Sequence, residues 1–268
     1  MPEAANLSVP LTTASGSPTD PPNADKPYVL SYFAQRRAAG YIGIALPVFV
    51  WLFDRKTLGC TPASISASYY SGARSYMVGA LCAVGVFLIC SIGYKRDTKY
   101  SVFAGIMAFL VAFNPCTYPD PVDGLVCAVY KPLPYPYSGH VHDIAAGFLF
   151  LTFAFFCLVL FTRTADDPNG FRPRLRGLPR RKKQRNFVFI VCGCVMLVTM
   201  AVMEGADLLK WDVPYLTLIG EWTCLWAFGI AWLVKGQQML KDTAPEPGPV
   251  AVRKVPESEH ASSSLRVS

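Results

Sequence analysis

Charged side chains are scarce in this chain. Asp, Glu, Lys and Arg make up 16% of its 268 residues, and 52% are hydrophobic. A soluble domain carries about a quarter charged residues, so a pair of soluble domains is excluded as the reading of this length. Histidine is scarcer still, with three in all, one of them (His260) in a polar tail. No long apolar stretch has a histidine at its middle, which leaves a haem without axial ligands inside a helical bundle. There is no phosphate-cradling Gly-rich loop, no Gly-x-Ser-x-Gly elbow and no His-Glu-x-x-His. The Cys-x-x-Cys of thiol oxidoreductases is missing, and Cys192-x-Cys194 is too closely spaced to replace it. Potassium-filter and aquaporin-type signatures, heptads and internal repeats are also missing. Residues 1–25 lack the basic start and apolar core of a signal peptide, so the first apolar stretch is expected to direct insertion.

What is present is a set of six apolar stretches almost free of charge, at about Ala38–Phe53, Ser75–Tyr94, Tyr100–Tyr118, Ile144–Thr162, Phe187–Met203 and Val213–Val234. Each is near the length that crosses a bilayer as a helix. Lys and Arg crowd alternate gaps. The loop from Arg163 to Arg185 holds nine basic residues against Asp166 and Asp167, a local charge of +7. With the N-terminus inside, only Arg55, Lys56, Arg74, Lys131 and Lys210 of the 25 basic residues face outward. Retention of positive charge on the cytoplasmic side favours this orientation. The sequence therefore predicts an all-α, polytopic transmembrane bundle of six spans with both termini cytoplasmic. Residues 1–30 and 238–268 form polar tails around a transmembrane domain of 31–237. The expected location is a plasma membrane, a bacterial inner membrane in particular. The expected partners are the bilayer and, at the Arg163–Arg185 loop, anionic lipid headgroups. Nucleic acid is not expected, because topology already accounts for the basic loop.

Small residues spaced by four, Gly79 with Ala83 and Ala201 with Gly205, permit close helix approach. They fit a partner helix in the same chain or in a second copy, so a homo-oligomer stays open. Pro47 predicts a kink in the first span. The Pro- and Tyr-rich segment from Tyr118 to His140 reads as a lid over the bundle. Of nine cysteines, Cys82, Cys90, Cys157, Cys192, Cys194 and Cys224 lie in apolar stretches and read as small buried residues. Cys60, Cys116 and Cys127 fall on the outer side, where oxidation is permitted. The expected disulfide joins Cys116 to Cys127 across the Pro-rich loop, with Cys60 as competing partner.

Polar chemistry concentrates at the outer ends of the spans. His140, His142 and Asp143 precede the fourth span, Glu204 and Asp207 close the fifth, Arg74 opens the second, and Glu221 lies inside the sixth. Glu221 is the clearest of these, because a carboxylate inside an apolar span is costly and is retained where it is paired or functional. The six-span topology would gather Arg74, His140, His142, Asp143, Glu204, Asp207 and Glu221 into one outward-opening pocket. Arg74 is the expected partner of Glu204 and Asp207. His140 and His142, two apart, would need an extended loop end and a third ligand such as Glu204 to hold zinc or another divalent metal. The bland readings are a helix-start pair for His140 and Asp143 and a structural ion pair for the acids.

At Ser64–Gly79 (SISASYYSGARSYMVG), Gly139-His140, Arg185-Asn186 and Glu221 through Gly236, the chain resembles small bacterial integral membrane proteins grouped as a domain of unknown function. That group is similar, distantly, to the alkaline ceramidase and adiponectin-receptor superfamily of membrane hydrolases. The resemblance covers about Phe33 to Gly236. It implies an intramembrane zinc site that hydrolyses a lipid amide or ester, with His140 and His142 as ligands. Ser66 or Ser68 and Asp143 or Glu204 would support them. The sequence departs from that superfamily in having Glu221 and no histidine in its last span. Three classes of function follow. The first is a pocket that binds or passes a small cation or polar solute, the second a metal-dependent intramembrane hydrolase, and the third a purely structural membrane protein.

Overall fold

A computed structural model describes residues 27–91, 95–119, 127–131, 137–163 and 179–240. The described residues are helical, with no strand among them. Six helices follow in order: α1 (Pro27–Thr57), α2 (Arg74–Ile89), α3 (Lys95–Phe113), α4 (Ser138–Phe155), α5 (Arg180–Leu208) and α6 (Leu216–Lys235). A short 3-10 helix, Ser66–Tyr70, lies between α1 and α2, and a π-helical turn, Phe156–Leu160, extends α4.

The six apolar stretches thus become six helices, but they are not equivalent. Four are long and apolar enough to cross a membrane: Phe33–Thr57, Ser138–Leu160, Arg180–Leu208 and Leu216–Lys235. The apolar parts of the other two, Arg74–Ile89 and Thr98–Phe113, are shorter. The 16 residues of α2 rise about 24 Å, less than the ~30 Å hydrocarbon core. Isoleucine, valine and phenylalanine stay exposed along α5 and α3, as at Phe103, Ile106, Val191 and Val198. A lipid-facing surface has this composition.

Glycines set which helices touch. On α1 and α6, a Cβ at Gly40 would meet the Gly229 carbonyl oxygen at 2.9 Å, and one at Gly229 would meet the Gly40 carbonyl oxygen at 2.8 Å. On α2 and α3, Gly85 and Gly105 face each other in the same way. These backbone-to-backbone approaches exclude any side chain. The expected small-residue pairs are not where this happens, because a Cβ at Gly79 or Gly205 would meet nothing within 4 Å. Spacing by four marks a face, but which face meets a neighbour depends on the rest of the helix.

One end of the bundle is an aromatic core around Trp232, whose ring lies 4.4 Å from Phe228, 4.9 Å from Phe161, 5.2 Å from Phe153 and 5.5 Å from Phe156. The π turn adds a residue to the helical turn, closed by Phe161 N–H to the Phe156 carbonyl at 2.8 Å. Phe156 and Phe161 can thereby both face the tryptophan. Arg36 and Lys235 cover Phe161 at this end. The Arg163–Arg185 loop assigned to anionic lipids falls mainly in 164–178, outside the described residues, as do most of both tails.

Candidate functional site

The opposite end carries the polar residues. The segment between α1 and α2 is polar in sequence, yet Pro62, Ser64, Ile65, Ala67 and Ser68 through Ser71 are buried. It folds inward and lies across the helix ends. A short helix leaves its first amides unpaired, and burial makes that costly. Two side chains satisfy them. Ser64 Oγ accepts from the Ala67 amide at 2.8 Å. Glu221, in the second turn of α6, accepts from the Ile65 amide, from the Ser66 amide at 3.1 Å and from the Ser66 hydroxyl at 2.6 Å. An anion at a helix start is favourable, and bonds to an ionised acceptor are the stronger kind. Glu221 therefore ties the inward loop to the last helix.

Further bonds fasten the loop on its other side. The Tyr70 hydroxyl donates to the Cys116 carbonyl at 2.7 Å, and the Val129 and Tyr130 amides donate to the Tyr70 carbonyl at 2.7 and 3.0 Å. Burial first, then the negative neighbourhood, pushes the Tyr70 hydroxyl from 10.0 up to about 12. Cys60 and Cys127 form a disulfide with Cα atoms 5.7 Å apart. The expected Cys116–Cys127 pairing is thus corrected. Cys116 is a free, buried thiol held at the end of α3. Its carbonyl is bound by Tyr70, while Cys127 is carried to the other flank of the loop, beside the end of α1. Burial, then the charges of Glu221 and Asp143, hold the Cys116 thiol well above the ordinary thiol range.

His142 is 2% exposed. Its Nδ1 lies 2.8 Å from the Asn114 carbonyl. A carbonyl only accepts, so Nδ1 is the donor in this pair, and Nε2 is the ring nitrogen left over. That nitrogen is buried without a hydrogen-bond partner. His142 is within electrostatic reach of both Glu221 and Asp143.

The seven residues expected in one pocket therefore occupy different settings. Glu221, His142 and Asp143 share one neighbourhood around Cys116. Asp143 is nonetheless exposed at the edge of that neighbourhood, within reach of exposed Asp207, and Glu204 and His140 are exposed as well. Arg74 does not hold the α5 acids. Its guanidinium donates to the Tyr69 hydroxyl at 2.8 Å and stacks over the Tyr69 and Tyr130 rings at 4.2 and 5.7 Å. Aromatic faces so close to the start of α2 leave the fork no need of a carboxylate. The expected ligand trio of His140, His142 and Glu204 is likewise split between one buried and two exposed side chains. Among the described residues no three His, Cys, Asp or Glu are grouped to hold a metal ion. The Tyr118–His140 lid is described only at its edges, and residues 120–126 and 132–136 lie outside.

Beneath the inward loop is a cavity of about 60 Å³, several times the roughly 10–15 Å³ that one water needs. Its walls come from α1 (Ile42, Leu46), α2 (Met77, Ala80, Leu81), α4 (Leu149, Phe153) and α6 (Leu225, Phe228). Ser66 and Glu221 are the polar side chains in its wall. Sequence reading placed Glu221 in the site but missed its donors, because backbone amides leave no mark in composition.

No protein-family model, curated protein or solved structure matches the chain.

Proposed function

We propose that this integral membrane protein crosses the bilayer six times, with the Arg163–Arg185 side cytoplasmic. It binds a small amphiphile whose apolar part enters the cavity and whose cationic or hydrogen-bond-donating head meets Glu221. The observation that carries this reading is the cavity itself, apolar but for Ser66 and Glu221. Three donors occupy the Glu221 carboxylate, and a carboxylate has about four lone-pair positions. One position and the negative charge remain for a head group. The proposal narrows the small cation or polar solute expected from sequence to one with an apolar body.

A series of alkylammonium ions of increasing chain length tests it, titrated into detergent-purified protein by calorimetry. Affinity should rise about fourfold per methylene, the equivalent of ~0.8 kcal/mol, over the first few carbons and then level off. Ala80→Phe should flatten that rise by filling the cavity. Glu221→Gln should weaken the whole series about tenfold or more while keeping an acceptor for the loop amides. A flat series in the natural protein would overturn the reading. Orientation is tested separately, with a cysteine at Arg176 and an impermeant thiol reagent. Labelling from outside intact cells would reverse the topology.

One observation favours a second reading, the metal-dependent hydrolase. His142 offers a buried, unpartnered nitrogen close to Glu221 and to the face bearing Ser66. Zinc that co-purifies in stoichiometric amount and is lost in His142→Ala would support it.

A further inference from the structure

The cavity is closed in unequal ways on its different sides. Its floor is the Phe153 and Phe228 rings, stacked with centroids 4.3 Å apart and backed by Trp232 at 5.2 and 4.4 Å. Two of its seams are shut by backbone, α1 on α6 at Gly40 and Gly229, and α2 on α3 at Gly85 and Gly105. Close-packed contacts of this kind part only when many side chains repack together.

The roof is held differently. Ile65 and Ser66 of the inward loop line the cavity. The two ends of that loop are fastened to one segment, Cys60 through its disulfide to Cys127 and the Tyr70 carbonyl through the Val129 and Tyr130 amides. The middle is fastened elsewhere. Among the described residues, the hydrogen bonds from 62–67 to the six helices all end on Glu221. The bond between Ser64 and Ala67 is internal to the loop and would travel with it. A stretch anchored at both ends, and tied across the cavity by one side chain, has the construction of a hinged flap.

We propose that residues 61–67 are a flap over the cavity and that Glu221 is its latch, so that a ligand enters and leaves at the disulfide end when the latch bonds break. The flap rests on the reading of the cavity as the binding site and adds the way into it. Local opening of this sort needs only the free energy of the few bonds it breaks, and the rest of the fold stays closed.

A cysteine in the cavity wall reports the flap. Leu46 is buried and lines the cavity, and the tryptic peptide 38–55 that carries it has no natural cysteine. Detergent-purified Leu46→Cys protein is treated with a small water-soluble thiol reagent, and modification is followed by mass spectrometry, each rate divided by that of the unfolded chain. When opening and closing are fast compared with modification, the rate follows the open fraction. Adding Ser66→Ala, which removes one of the three latch bonds, should raise the rate at position 46 about tenfold or more. In both chains that rate should exceed the rate at Cys157, fully buried at the aromatic end, by about a hundredfold or more, because the flap opens without unfolding. Equal rates at the two positions would overturn the proposal, and so would a rate at position 46 that Ser66→Ala leaves unmoved. Should Leu46→Cys fail to fold, amide hydrogen exchange in Ser66→Ala alone decides, with protection lost over 61–67 and kept over α6; unchanged protection over 61–67 would overturn the flap. Neither measurement uses a ligand. A flat alkylammonium series would therefore count against binding alone, and an unmoved modification rate against the flap alone.

Discussion

Glu221 offsets the cost of its position with donors that the chain brings from about 155 residues away. Removing the acid would strand them. Glu221→Ala should destabilise the fold by at least about 3 kcal/mol, and Ser66→Ala by roughly 1.5–3 kcal/mol, on the scale of single bonds to charged acceptors. Thermal unfolding in one detergent would rank the two, and an unchanged Tm in Glu221→Ala would show that the loop is held by other means. Tyr70 gives a pH signature. Its hydroxyl titrates near 12 when folded and near 10.0 when unfolded. Between those values the unfolded chain sheds a proton that the folded chain keeps, so stability present below pH ~10 is lost as pH rises through 12. Tyr70→Phe should flatten this alkaline leg in unfolding curves from about pH 9 to 12. At this scale the sequence was uneven as a guide. Glu221 interrupts an apolar stretch and was visible as an anomaly. Asp54 falls just past the first apolar stretch beside Arg55 and Lys56, where a charge is no anomaly. Its spacing from buried Ala39, Leu46, Pro47 and Val50 would have put it on the inner face of the helix.

Among the elements, hydrophobic runs led directly to six helices, because a run of that length has no other way to satisfy its backbone in lipid. Helix contacts were less legible. Gly40 and Gly229 meet through backbone atoms that cannot yield. Gly229→Leu should therefore cost about 1–3 kcal/mol or more by overpacking, whereas Gly79→Ala and Gly205→Ala should stay within about 0.5 kcal/mol. Equal effects at Gly229 and Gly205 in a thermal assay would contradict the α1–α6 contact. The segment between α1 and α2 is polar in sequence. Its serines gave no hint of burial, because their partners are amides of their own turn and one distant acid. The disulfide depended in the same way on fold, since the nearer pair in sequence is not the nearer pair in space. Peptide mapping without reductant should recover Cys60 joined to Cys127. Loss of the bridge in Cys127→Ser should cost about 2–4 kcal/mol, and Cys116→Ser should leave the bridge intact. A Cys116-linked peptide would refute that arrangement.

For the molecule as a whole, the two ends are chemically unlike. One gathers Arg36, Arg37 and Lys235 around aromatic and backbone acceptors, with Arg37 reaching Gln238 at 3.4 Å. The other gathers the disulfide, the inward loop and the acids. The basic bias of the sequence anticipated this polarity, since charge placement follows insertion more than packing. The cavity between the ends was not legible, because it is a volume left between α1, α2, α3, α4 and α6 and belongs to none of them.

The Glu221 contact also says something about birth order. Ile65 and Ser66 emerge from the ribosome well before their acceptor, which is 156 positions later in the chain. At about 5–20 residues per second, the amides of the inward loop wait on the order of ten to thirty seconds for it. Until α6 arrives, the segment is held through Tyr70 and Cys60 to residues 116–130, while the Ile65 and Ser66 amides have no acceptor from the last helix. A nascent chain that stops short of Glu221 would leave that end of the loop open to a chaperone or protease, and completion of the last helix would close it.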